Sequence, residues 1–238
     1  MRDTVWTVLL IGGSSGVGKT GAARRIGHRC GVSVLHVDDL RLAFQHSRAT
    51  LPDVGDTQAL YFFWNNPDVW RQPPDSGRDG LIAVGHALSP AIEIAAVNHL
   101  VQIEMGPLVI EGDNIVPALI ARPLLHEYAT DARVRAVFLV EPDEEVLLAN
   151  IVARSRVVAG QTDAERRTEA RAKWLYGQWL ATEARHFGLP VLEPRPWDTL
   201  DARLAAAIDT AECPSTSDKA TSLCTVTSML CPSAKRWT

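Results

Sequence analysis

Five short apolar runs recur along the chain, at residues 5–11, 32–37, 107–110, 134–140 and 189–193. They are rich in Val, Ile and Leu and nearly unbroken, as expected of strands buried on both faces. Between them the apolar positions fall three or four residues apart, the spacing of helices that pack on one face. Residues 21–30 read as a helix closed by Gly31, and another helix starts at Leu40. Residues 80–88 predict a helix, and Ser89-Pro90 predicts the start of a second, with Ser as N-cap and Pro at the first position. Ile92, Ala95, Ala96, Leu100 and Ile103 would seat that second helix on the sheet, and His99 on the same face reads as a core histidine. Glu141-Pro142-Asp143 opens a helix carrying Val146, Leu147, Leu148 and Ile151, and further helices are expected at 165–185 and 200–210. Strands alternating with helices predict an α/β fold around a parallel sheet.

Two stretches break this rhythm. Residues 46–80 are rich in Pro, Asp and Gly and read as irregular. From Glu212 onward Ser, Thr, Cys and Lys dominate without periodicity, so 212–238 is expected to be a disordered tail beside a single domain at 1–211. No internal repeat is visible.

Composition narrows the class. The chain has 238 residues, 46% of them hydrophobic, enough for one α/β domain or one domain with a small lid. A net charge of −4 leaves no basic footprint, so nucleic acid is not an expected partner. No apolar run reaches the roughly 18 residues of a membrane span, and Met1-Arg2-Asp3-Thr4 does not open a signal peptide. The cysteines at 30, 213, 224 and 231 form no C-x-x-C pair. Neither zinc nor a disulfide framework is indicated, and a cytoplasmic protein is expected. Nothing in the pattern specifies an oligomeric state.

The chemistry is concentrated at the ends of the strands. After the first strand comes Gly13-Ser14-Ser15-Gly16-Val17-Gly18-Lys19-Thr20, which fits the phosphate-binding loop G-x-x-x-x-G-K-[ST]. Its glycines let the backbone turn its N–H groups into one concavity for anionic oxygens. Lys19 is expected on the β- and γ-phosphates and Thr20 on Mg²⁺, with the helix N-terminus adding its dipole. The second strand ends in Asp38-Asp39. Asp38 is expected as the base for an attacking hydroxyl and Asp39 as an acid that holds Mg²⁺ through water; capping of the following helix is the alternative. Arg41 would clamp an anionic acceptor or sit on the surface. The third strand delivers Glu111, placed as the Walker B acid that orients the water shell of Mg²⁺. Asp113 and Asn114 would face the acceptor, with Gly112 allowing close approach, unless the segment is an ordinary strand-to-helix turn.

The remaining candidates lie further from the loop. The aromatic block 60–64, with Val69-Trp70-Arg71, either lines an acceptor pocket or packs a satellite core under a loop. Arg154 and Arg156 stand at a polar turn around Gly160 between two helices, and a lid at about 154–173 could bring them onto the transferred phosphoryl group. Arg166, Arg167, Arg171 and Lys173 follow on the second helix, where a solvated face is the alternative. The loop 194–199 lies at the same sheet edge and could contact adenine.

Three segments together resemble the P-loop small-molecule kinases, specifically the 2-phosphoglycerate kinase-like group. They are Ile11 to Thr20, Val37-Asp38-Asp39-Leu40-Arg41, and Val109-Ile110-Glu111-Gly112-Asp113 with Pro117 behind it. In layout the chain is also similar to chloramphenicol phosphotransferases and zeta-type toxin kinases, in which an acid after the second strand serves as base. The resemblance spans about residues 5–210 and leaves out the aromatic block. It implies a P-loop NTPase three-layer sandwich, a five-stranded parallel sheet in order 2-3-1-4-5 with a helical lid. The expected activity is ATP-dependent transfer of the γ-phosphoryl group to a hydroxyl of a small molecule, a phosphorylated or carboxylated metabolite, with Mg²⁺ as cofactor. The lack of a guanine-binding N-K-x-D motif favours ATP over GTP. Two alternatives are a nucleotide-dependent switch or ATPase with a protein partner and a toxin-type kinase acting on a nucleotide sugar.

Overall fold

The computed structural model describes residues 6–153 and 161–210. Arg154, Arg156, the turn at Gly160 and the tail 212–238 lie outside the described residues. The first strand, β1 (Val8–Gly13), is buried at every position, and the phosphate loop leads from it into α1 (Lys19–Cys30). Next come β2 (Ser33–His36) and α2 (Val37–His46). The segment expected to be irregular folds as two short helices, α3 (Val54–Leu60) and α4 (Phe62–Asn65), and a 3₁₀ turn at Val69–Arg71. Asp53 starts α3 by accepting from the backbone N–H groups of Gly55 and Asp56. Seven- and four-residue helices are too short to display a period, so their sequence reads as loop.

The helix α5 (Pro74–Val101) corrects the two-helix reading of 80–103. It runs through Ser89-Pro90 as one 28-residue element. A serine followed by proline resembles a helix start, but here the Ser89 hydroxyl bonds back to the Gly85 carbonyl at 2.8 Å, inside the helix. α5 is also long and apolar enough to span a membrane, unlike any continuous apolar run. Leu81, Val84, Leu88, Ile92, Ala96 and Leu100 spend that length in the core.

The order continues with β3 (Leu108–Gly112), α6 (Pro123–Thr130), β4 (Val134–Leu139) and α7 (Glu144–Ala153). It ends with α8 (Asp163–His186), β5 (Val191–Leu192) and α9 (Leu200–Thr210). All pairings are parallel and the strand order is β2-β3-β1-β4-β5, as the resemblance implies. Alternate residues of each strand feed opposite sides. Leu10, Ile110 and Phe138 join a core with α5, α6 and α8; Leu9, Val109 and Val137 join another with α1 and α9. The result is three layers, with β1 central and the phosphate loop in the middle of the ligand-binding edge.

Residues 163–173, expected to belong to a lid, are the first turns of α8, and Ala170 and Ala172 among them are buried. The N-terminus of α8 is held by a capping box in which Thr162 and Glu165 each accept from the other's backbone N–H. Arg71 also donates to Glu165 at 2.5 Å, so the helix start is tied to the aromatic segment. Bonds from the Thr162 backbone and from Arg71 hold the Glu165 carboxyl down to about 2. A depressed carboxyl stabilises the fold above its ordinary titration and loses that effect as pH falls through its folded value. Amide exchange at 163–166 should therefore accelerate as pH is lowered from about 4.3, the ordinary glutamate value, towards 2, after correction for intrinsic rates. Glu165→Ala, which removes the accepting side chain, should show the faster exchange already at neutral pH; unchanged protection in that variant would mean the box does not hold this end.

Candidate active site

The phosphate loop takes its shape from glycines. Gly18 sits at φ 81°, a region that side chains avoid, and a Cβ there would lie 2.4 Å from the Trp197 ring. The backbone thus turns into α1 with the indole packed against it. From this loop Lys19 reaches inward. Its Nζ donates to the Ser14 carbonyl at 2.8 Å and to Asp113 Oδ1 at 2.6 Å, and the side chain is only 5% exposed. Ser15 Oγ donates to the other oxygen of Asp113 at 2.6 Å. The Tyr176 hydroxyl, on α8, holds the Asp113 backbone carbonyl at 2.6 Å. Burial pushes the Asp113 carboxyl up, but the Lys19 ammonium, the bonds from Lys19 and Ser15 and the more distant Lys173 leave it below its ordinary value. Burial, and then the Asp113 charge, push the Tyr176 phenol up, so it stays a neutral donor. Asp113, expected only to face the acceptor, is therefore also the counter-ion of the loop lysine.

A second cluster forms one strand away. Thr20 Oγ1 donates to Glu111 Oε1 at 2.9 Å, and His36 Nδ1 lies 2.6 Å from the same oxygen. β2 and β3 place His36 directly opposite Glu111 in register, so the contact follows from strand pairing. Sequence reading passed over His36, because its only signal is its place at the end of a strand beside another strand's acid. Thr20 and Glu111 offer the hard oxygen donors that suit Mg²⁺. Among the described residues no group of three or more His, Cys, Asp and Glu side chains is arranged for a metal.

The two acids after β2 separate. α2 begins at Val37, three residues before the predicted start, so both lie in its first turn and neither is the N-cap. Asp38 lines the cavity over the phosphate loop together with Lys19, Thr20 and Glu111. It also lines a neighbouring cavity of about 210 Å³. Asp39 is exposed and is not part of either lining. Its alternative reading as the helix cap is corrected, since His36 holds that position. Arg41, one turn on, donates to Asp38 at 3.2 Å and lines the second cavity. Arg24 on α1 lines the phosphate cavity; it stands one helical turn after Thr20, a spacing by which it could have been found.

The aromatic block divides between a cavity wall and the core. Phe63 and Trp70 line the second cavity and stack at 5.6 Å between centroids, whereas Leu60 and Phe62 pack on the core. Of the basic residues early in α8, Arg166, Arg167 and Arg171 pair with Asp163, Glu145 and Glu144 on the surface. Lys173 instead lines the second cavity and pairs with Glu169. The loop 194–199 is pinned by Arg203, which donates to the carbonyls of Glu193, Pro194 and Pro196, and it presents Trp197 to Gly18.

No family model matches the chain. It is similar to the 2-phosphoglycerate kinase of Methanothermobacter thermautotrophicus, with 27% identity over 197 residues that cover 78% of this chain and 60% of the relative. With that of Methanocaldococcus jannaschii it shares 28% over 195 residues, 78% of this chain and 58% of the relative. The chain spans about three fifths of the length of the curated relatives it matches. Among solved structures, a shikimate kinase from Acinetobacter baumannii in complex with shikimate aligns with a TM-score of 0.43 at 15% identity, covering 87% of this chain and 96% of that one. A gluconokinase from Sinorhizobium meliloti aligns with a TM-score of 0.44 at 16% identity, covering 87% and 94%.

Proposed function

We propose that the protein is an ATP-dependent kinase that phosphorylates a hydroxyl of a small molecule bearing an anionic group, phosphate or carboxylate. The observation that carries this reading is that Ser15, Asp38 and Asp113 belong to both cavities. A phosphoryl group above Lys19 and a hydroxyl in the neighbouring cavity would therefore meet beside Asp38. The similarity to two 2-phosphoglycerate kinases supports a small-molecule acceptor.

In this mechanism the loop amides and Lys19 hold the phosphates of ATP, and Lys19 exchanges Asp113 for phosphate oxygen. Asp38 accepts the proton of the acceptor hydroxyl as its oxygen bonds to the γ-phosphorus. The bond from that phosphorus to the β,γ-bridging oxygen breaks, and ADP leaves with the electron pair. Mg²⁺, held by Thr20 and through water by Glu111, would neutralise charge on the phosphates. Arg24 and the arginines at 154 and 156 are assigned to the same charge, and Trp197 with its loop to the base side of the nucleotide. Arg41 and Lys173 hold the anionic group of the acceptor. Little covalent chemistry is asked of the protein, so positioning and charge compensation supply most of the rate.

The test is calorimetric titration of ATP and GTP with Mg²⁺, followed by ADP release with a panel of phosphorylated and carboxylated hydroxy acids. ATP should bind, and ADP release should depend on an acceptor. Absence of nucleotide binding, or ADP release indifferent to every acceptor, would sink the reading.

A further inference from the structure

The second cavity has a composition of its own. Phe63 and Trp70 form a stacked two-ring wall. That wall is seated on α5: a Cβ on Gly77 would lie 2.7 Å from the Trp70 ring, so only glycine lets the indole pack so close. Leu81 and Val84 of the same helix continue the apolar surface. At about 210 Å³ the space falls below the roughly 300–1,000 Å³ of drug-sized sites.

The charges around it nearly cancel. Arg41 carries its own carboxylate in Asp38, and Lys173 carries Glu169. Asp113 faces the cavity as well, and its partner Lys19 is the residue that nucleotide would draw away. With Lys19 on phosphate, the cavity lining would set Arg41 and Lys173 against Asp38 and Asp113. Such a surface repels a multiply charged guest and tolerates one negative charge. Asn114 completes the lining. It is 3% exposed. Its carboxamide can donate to or accept from a hydroxyl or carbonyl oxygen without adding charge.

We propose that this cavity selects a hydroxy acid with a single carboxylate and a ring or other flat apolar face, rather than a compact acceptor that already carries phosphate. The carboxylate sits between Arg41 and Lys173, the apolar face lies on Phe63 and Trp70, and Asn114 reads a second oxygen. The reactive hydroxyl gives its proton to Asp38 as its oxygen takes the phosphoryl group from ATP and ADP departs. The proposal rests on the kinase reading and narrows the acceptor within it.

Four probes at equal concentration test it: 3-hydroxycyclohexanecarboxylate, mandelate, glycerate and 2-phosphoglycerate. The expected result is a kcat/KM for the better ring acid about tenfold or more above that of glycerate and of 2-phosphoglycerate, the usual reach of one aromatic contact. Phe63→Ala, checked for folding by circular dichroism, should erase most of that difference. Equal or better turnover of glycerate or 2-phosphoglycerate overturns the proposal, as does an enzyme that binds nucleotide but phosphorylates neither ring acid. Failure of the kinase reading looks different: calorimetry then shows no binding of ATP with Mg²⁺, and the proposal goes with it.

Discussion

Lys19→Ala is expected to remove phosphoryl transfer and to lower stability at the same time. The loss of transfer, roughly 10²–10³-fold or more, follows from deleting a positive group aimed at the transferred phosphate. The loss of stability follows from the structure and runs against the ordinary picture of an exposed loop lysine. Lys19 is 5% exposed and bound to Asp113, whose side chain keeps 21% of its accessible area. Removing one partner of a fully buried pair costs about 3–5 kcal/mol, because a charge is left behind without compensation. Since Asp113 stays partly open to water and keeps the Ser15 hydroxyl, about 1–3 kcal/mol is expected here. The double variant Lys19→Ala with Asp113→Asn should recover most of the stability and none of the activity, since the stranded charge is gone and the phosphate contact is not restored. Denaturant unfolding and single-turnover rates on the three variants decide it. A Lys19→Ala protein as stable as the parent would show that the pair is not carrying the fold, and one that still transfers phosphate would remove the loop from the chemistry.

How much of this was open to sequence reading depended on how local each signal is. The phosphate loop, Glu111 at the end of β3 and the five strands are all short-range patterns. They survive folding because strands buried on both faces must be continuously apolar, and loop chemistry needs fixed spacing. α5 was not legible as one helix, because the bond from Ser89 to Gly85 occurs only once the chain is already helical. The partnership of Asp113 with Lys19 joins residues 94 positions apart. That of His36 with Glu111 depends on which strands are neighbours and in what register. The β2-β3 pairing came from a family resemblance and not from any period in the chain. The second cavity was the least legible part, because its wall comes from short helices with no visible period and from Gly77 on α5, which makes room for Trp70.

Asp38→Asn is the variant expected to act on chemistry alone. Asp38 is the acid of the pair that reaches both cavities, whereas Asp39 is exposed on the first turn of α2. An amide in place of the carboxylate keeps the shape and one hydrogen bond to Arg41 but cannot take a proton. The chemical step should therefore fall by roughly 10²–10⁴-fold, the usual worth of a positioned general base. ATP affinity should hardly move, since Lys19 and the loop amides carry the phosphates. Asp39→Asn should leave the rate alone and cost only its interaction with the α2 dipole, about 0.3–1 kcal/mol at most. Arg41→Ala supplies the contrast: it should raise the KM of the acceptor more than it lowers kcat, because it removes a contact made before and during transfer alike. Single-turnover rates at saturating ATP, with nucleotide titrations alongside, separate the three. If Asp39→Asn abolishes the step and Asp38→Asn does not, the two acids exchange roles and α2 must rotate when substrates bind. If neither substitution slows it, the proton goes elsewhere, and Asp113, released when Lys19 turns to the phosphates, is the next carboxylate facing the acceptor cavity.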